Sequence, residues 1–204
     1  MKYLLISFLL CSQLSLAQIF SNNPHLAKNK VSGQWMDGSI VLTDGTTIEG
    51  QVRGHSYKAH DVRSFRFRNE KGAKAFTYGA DECKQVVQNG LIIVSLPKNL
   101  KKPEGKRRFY VALYHGEKFS VLQDPKVSSA AGGGGAGLVF NQGEMLSFLA
   151  YKDGELVKIN KLNFKKKIKK LLSDNKQCLD KMKDKKWFKY GNIYEIADHY
   201  NGTL

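Results

Sequence analysis

Two Asp-Gly pairs, Asp44-Gly45 and Asp153-Gly154, each sit between runs of alternating apolar and polar residues, and nothing else in the chain constrains its fold as strongly. Alternation with a period of two builds a strand with one buried face, and Asp-Gly supplies the positive φ angles of a type I′ turn, so each pair marks an antiparallel hairpin. Around the first, Ile40 and Leu42 share a face that Ile48 and Val52 can join, and Gly50 marks a bulge or a close backbone approach. Around the second, Met145 to Tyr151 leads in and Leu156 to Ile159 leads out. A third hairpin joins Phe109–His115 to Lys118–Gln123 across Gly116-Glu117, closed by Asp124-Pro125.

Between the hairpins, Phe65-Arg-Phe-Arg68 alternates as a half-exposed strand, and Leu91 to Leu96 is a continuous apolar run, hence a buried strand ended by Pro97. Residues Asp81 to Gln88 read as one or two helical turns stopped by Gly90. The strand–turn–strand unit recurs without a fixed period, which predicts an antiparallel sheet or small barrel rather than a solenoid.

From Lys161 the period becomes helical. Phe164, Ile168, Leu171 and Leu172 form one apolar stripe on a lysine-covered helix. Ser173-Asp174-Asn175 ends it and recaps the chain for a second helix carrying Cys178, Leu179 and Met182. Asn192 and Glu195 have the spacing of a capping box, and Ile193, Ile196, Ala197 and Tyr200 stripe a third helix that Gly202 stops. The predicted fold is α+β: an antiparallel β-rich body over 35–160, with a low-complexity Gly-rich loop at 128–137, and a cap of three short helices over 161–204.

The amino terminus reads as an address. A basic start at Lys2, the apolar stretch Leu4 to Leu10 and the small residues of Ser15-Leu16-Ala17 make residues 1–17 a secretory signal peptide, and 18–34 an exposed leader. Export to the periplasm, the outer envelope or the medium follows, and no remaining apolar run is long enough for a transmembrane helix. Cleavage leaves Cys83 and Cys178. An oxidising compartment allows one disulfide between them; the alternative is two separately buried small hydrophobes.

The sequence predicts no cofactor, metal or catalytic residue. Gly132, Gly134 and Gly137 fit G-x-G-x-x-G only because they lie in a glycine tract, with no helix after them to hold phosphate. His55, His60, Asp61 and His115 match no standard zinc spacing. No Gly-x-Ser-x-Gly elbow is present. A carboxylate pair assembled by the fold, as an envelope hydrolase would use, is not readable from spacing.

Charge is the unusual property. The 204 residues hold 33 Lys+Arg against 18 Asp+Glu, a formal +15, and the excess is uneven. Residues 161–189 carry twelve lysines against Asp174, Asp180 and Asp184. Clustered charge of one sign concentrates counter-ions and attracts polyanions. The candidate surface is Lys165, Lys166, Lys167, Lys169 and Lys170 with Lys181, Lys183, Lys185 and Lys186, and its candidate partners are anionic lipid headgroups or acidic glycan. The bland alternative is a solvated helix face. Export disfavours nucleic acid, although Trp187, Phe188 and Tyr190 are interleaved among the lysines.

The run Gly38-x-Ile-x-Leu-x-Asp-Gly-x-x-Ile-x-Gly-x-Val52 after Trp35, the later strands around 109–122 and 145–159, and the tail from Phe164 to Tyr200-Asn201 together resemble a group of exported proteins of Bacteroidota-type bacteria with no established activity. That resemblance implies an envelope or secreted protein with a β-rich body and a small helical end. It carries over no activity, ligand or catalytic residue, and the Gly tract at 132–135 stands as an insertion relative to the group.

Overall fold

The computed structural model describes residues 31–58, 61–99, 102, 104–124 and 147–202; the expected signal peptide (1–17), most of the expected leader and the Gly-rich stretch 128–137 lie outside them. Ten antiparallel strands form one open sheet: β1 Met36–Leu42, β2 Thr47–Lys58, β3 Asp61–Arg68, β4 Phe76–Gly79, β5 Cys83–Gln88, β6 Leu91–Pro97, β7 Arg107–Tyr114, β8 Phe119–Gln123, β9 Ser147–Lys152 and β10 Glu155–Asn160. Their order is β10-β9-β8-β7-β6-β5-β1-β2-β3-β4, so the chain meanders except where β5 returns to pair with β1. Helices α1 Phe164–Leu171, α2 Lys176–Lys181 and α3 Ile193–Gly202 follow, the last entered through a 3-10 turn at Tyr190–Asn192. The architecture is therefore the expected α+β sheet with three short C-terminal helices, and the sheet does not close into a barrel.

Local chemistry explains each turn. Asp153-Gly154 has positive φ at both residues, 49° and 79°, as a type I′ turn requires. Asp44-Gly45 does not: only Gly45 is positive, at 95°, and its N–H bonds the Leu42 carbonyl at 3.0 Å, giving a three-residue loop with a glycine bulge in place of the predicted type I′ turn. Residues 83–88 are a strand, not helical turns. Cys83, Val86 and Gln88 are buried with exposed or half-buried residues between them, and Asn89-Gly90, at φ 46° and 77°, is itself a type I′ hairpin turn into β6.

One face of the sheet carries two cores. Over β1–β6, Ile40, Val52, Phe65, Phe67, Val86 and Ile93 pack together, and the sheet curls until Phe65 of β3 meets Phe109 of β7 edge-to-face at 5.0 Å. Gly38 and Gly50 pair across β1 and β2 at the bend. A Cβ on Gly38 would run into the Val87 carbonyl, and one on Gly50 into the Arg68 carbonyl, so the tight approach expected at Gly50 is present. Over β7–β10 the same face is covered by helices: Leu113, Phe119, Phe148 and Ile159 pack against Phe164, Ile168, Leu172, Ile196 and Tyr200. A smaller cluster of Val94, Leu96, Tyr110, Ala112, Leu122 and Leu149 lies on the opposite face.

Order extends further toward the amino terminus than the expected leader allowed. Val31 is buried in the curled core, and Ser32 is held at both ends of its backbone by buried Gln88, whose Oε1 accepts from the Ser32 N–H at 2.7 Å and whose Nε2 donates to its carbonyl at 3.0 Å. Gln88 also donates to the Val52 carbonyl at 3.1 Å. A buried amide with three satisfied bonds holds this segment in place at little net cost.

Candidate functional site

The nine candidate lysines fall into different environments. On α1, burial of Phe164 and Ile168 against the sheet turns Lys165, Lys166, Lys169 and Lys170 outward, all exposed and without a side-chain partner among the described residues. Lys167 is half-buried, and its ammonium donates to the Lys158 carbonyl at 2.9 Å, which removes it from the free face. Lys181 lies over the Trp187 ring at 4.7 Å. Lys183 pairs with Asp180 at 2.6 Å. Lys185 and Lys186 are exposed on the segment before the 3-10 turn. The concentrated, unpaired positive charge is thus the α1 quartet.

The interleaved aromatics pack the cap. Phe188 is buried 5.3 Å from Phe164, Tyr190 sits 5.5 Å from both Phe148 and Phe164, and Trp187 meets His199 edge-on at 5.5 Å. Phe188 belongs to the core under the cap, and Trp187 and Tyr190 pack against it half-buried.

Two polar fasteners hold the cap on the sheet. Asn201 of α3 accepts from the Lys118 and Phe119 N–H groups at 3.1 Å and donates to the Phe119 and Ala197 carbonyls at 3.0 and 2.7 Å. A side chain on Gly116 would collide with it. Lys152, buried on β9, pairs with Asp153 and, at 3.1 Å, with Asp174, which also accepts from the Tyr200 hydroxyl at 2.8 Å. Burial alone would lower the Lys152 pKa, but the hydrogen bonds its ammonium donates to Asp153 and Asp174 carry it above 10.5. Asp174 moves in the opposite sense: burial opposes ionisation, yet Tyr200 and Lys152 hold its carboxyl below 3.8. At the amino end of α2, Asn175 caps the helix as expected, accepting from the Cys178 N–H at 2.8 Å. Asn192 does not act as half of a reciprocal box; its amide donates back to the Trp187 carbonyl at 2.9 Å, and Glu195 is exposed.

Cys83 and Cys178 are not brought together. Both are free and buried, Cys83 in the curled core and Cys178 in the helix-covered one. Burial, with Glu82 nearby, pushes the Cys83 thiol up to about 12, and burial pushes Cys178 to about 11, so neither is a thiolate at neutral pH. Among the described residues no group of three His, Cys, Asp or Glu side chains is arranged to hold a metal. His55 is exposed, His115 lies with its Nδ1 3.2 Å from the Ser120 hydroxyl, and His60 and the glycine tract lie outside the described residues. No described helix is long and apolar enough to cross a membrane.

Two features escape a reading by spacing. An open concavity of about 580 Å³ beside the β1–β2 bend gathers Asp37, Glu49 and Glu70 with Ser39 and Lys71. All three carboxylates are exposed. Further along the same face, Trp35 has the guanidiniums of Arg53 and Arg68 over its ring at 4.8 and 4.2 Å, and Arg66 is the direct cross-strand neighbour of Arg53. The signal in the sequence is the pair of alternations Gln51-x-Arg53 and Arg66-x-Arg68, but it becomes a cluster only through the β2–β3 register.

Comparison with known proteins leaves the reading to this geometry: no family model matches the chain, and no curated protein or solved structure matches it either.

Proposed function

We propose that this is an exported, non-enzymatic cell-envelope or secreted protein that acts by binding, and that the exposed lysine quartet of α1 engages polyanionic envelope components, either anionic lipid headgroups or acidic glycan. The observation that carries the reading is the contrast on one helix: Phe164 and Ile168 are buried, while Lys165, Lys166, Lys169 and Lys170 are exposed with no acid within the helix. Five like charges on eight residues, four of them exposed, repel one another, and a polyanion relieves that repulsion while releasing its own counter-ions. Export rests on residues 1–17 and on the resemblance to exported proteins of Bacteroidota-type bacteria.

The test replaces Lys165, Lys166, Lys169 and Lys170 together by Gln, leaving Lys167 to its carbonyl. Co-sedimentation with phosphatidylglycerol vesicles and retention by an acidic polysaccharide, both at low salt, are expected to fall at least about tenfold, given roughly 1 kcal/mol per cationic side chain near an anionic surface. Unchanged binding with both probes would refute the assignment.

The acidic concavity supports a second reading, an envelope hydrolase using Asp37 and Glu49. It requires glycan-hydrolysing activity that disappears in Asp37→Asn or Glu49→Gln.

A further inference from the structure

The face of the sheet turned away from the helices carries a charge arrangement that folding alone does not favour. Arg53 and Arg66 are directly opposed on β2 and β3, a like-charged pair in a position where opposite charges stabilise. The Nε–H of each is buried and has no acceptor among the described residues. Arg68 spends its Nε–H on Gln51 Oε1 at 2.9 Å, and none of the three guanidiniums forms an ion pair among the described residues. Trp35 has two of them over its ring, Arg53 at 4.8 Å and Arg68 at 4.2 Å. A cation held over an aromatic ring is positioned without spending any of its hydrogen-bond donors. The three arginines are half-buried, and their terminal N–H groups, in no ion pair among the described residues, can meet the oxygens of a carboxylate or phosphate in a planar fork.

We propose that Trp35, Arg53, Arg66 and Arg68 form a binding site for an oxyanion, the phosphate or carboxylate group of a larger ligand, on the face of the sheet opposite the helical cap. The site is independent of the α1 lysines: it lies on β2, β3 and the residue just before β1, and its recognition depends on guanidinium geometry rather than on charge density. Asp37 lies on the same face as Gln51, its cross-strand neighbour, which sets an acidic boundary beside the arginines. A ligand docked by its oxyanion here would extend away from that boundary.

Isothermal titration of the full-length protein at low ionic strength tests the site, with inorganic pyrophosphate representing a phosphate source and oligogalacturonate a carboxylate source. Binding of at least one probe is expected, and the one that binds identifies the source; binding of neither overturns the proposal. Arg53→Lys and Arg66→Lys keep the charge and the alkyl stem but lose the planar fork, so each is expected to weaken binding at least about tenfold. The quadruple Lys→Gln variant of α1 is expected to change it less than about twofold, since the α1 face lies outside the site. Gln51→Glu offers Arg68 an internal carboxylate and keeps the fold while competing with the ligand, so it too is expected to weaken binding. Retained affinity in both Arg→Lys variants and in Gln51→Glu, or loss in the α1 variant alone, contradicts a guanidinium site and leaves only nonspecific charge.

Discussion

The two halves of this sheet bury the same face by different means. Strands β1–β4 fold over their own neighbours, and the bend depends on two glycines whose missing side chains let backbone approach backbone. Strands β7–β10 stay extended and are covered by helices, which are tied down by Asn201 and by the Lys152–Asp174–Tyr200 network. A self-folded half needs little outside help and leaves its outer face free for polar clusters such as the Trp35 arginines. A capped half brings in new surface, and the surface it brings is lysine.

The sharpest way to break this comparison is to open a void in each core. Phe65→Ala and Phe164→Ala are each expected to cost about 4 kcal/mol. Because β7 contributes Phe109 to one core and Leu113 to the other, urea unfolding of both variants is expected to remain a single transition. Two separated transitions would mean the halves are independent domains.

A smaller effect tests the bend. Gly50→Ala sets a methyl group against the Arg68 carbonyl, and the required backbone shift is expected to cost about 2 kcal/mol. Gly202→Ala at the end of the cap meets open space and is expected to leave the midpoint of denaturation within about 0.5 kcal/mol of wild type.

The weakest lever is pH, which acts on the cap through Asp174 and Lys152. Asp174 has its pKa lowered in the fold, so its contribution is fully present above the ordinary value of 3.8 and is lost as pH falls through the folded value. Lys152 has its pKa raised, so its contribution is present below 10.5 and is lost as pH rises through the folded value. Thermal melts across acid pH are expected to show a shallower loss for Asp174→Asn than for wild type; parallel curves would remove this network as a fastener.

Much of the fold was legible in the sequence because hairpin chemistry is local. Asp153-Gly154 and the apolar stripes of α1 and α3 declare themselves within a few residues. Residues 81–88 were not, since Glu82-Cys-Lys-Gln-Val-Val-Gln88 suits a helix as well as a strand, and the decisive Asn89-Gly90 turn lies just beyond. The docking of Val31 and Ser32 depends on Gln88, 56 residues away from Ser32, which no local pattern reveals. The lysine face was legible as composition, but which lysines are free was not: Lys167 is tied to a carbonyl on β10, and Lys183 to Asp180. The arginine cluster was invisible for the same reason, because register, not spacing, sets Arg53 beside Arg66.

The most direct measurement of where the protein binds is lysine acetylation, read by mass spectrometry with and without phosphatidylglycerol vesicles at low salt. Lys165, Lys166, Lys169 and Lys170 are expected to be protected several-fold by the vesicles, while Lys71, Lys74 and Lys84, exposed on the self-folded half, react unchanged. Equal protection of both groups, or none on α1, would contradict a binding surface carried by the cap.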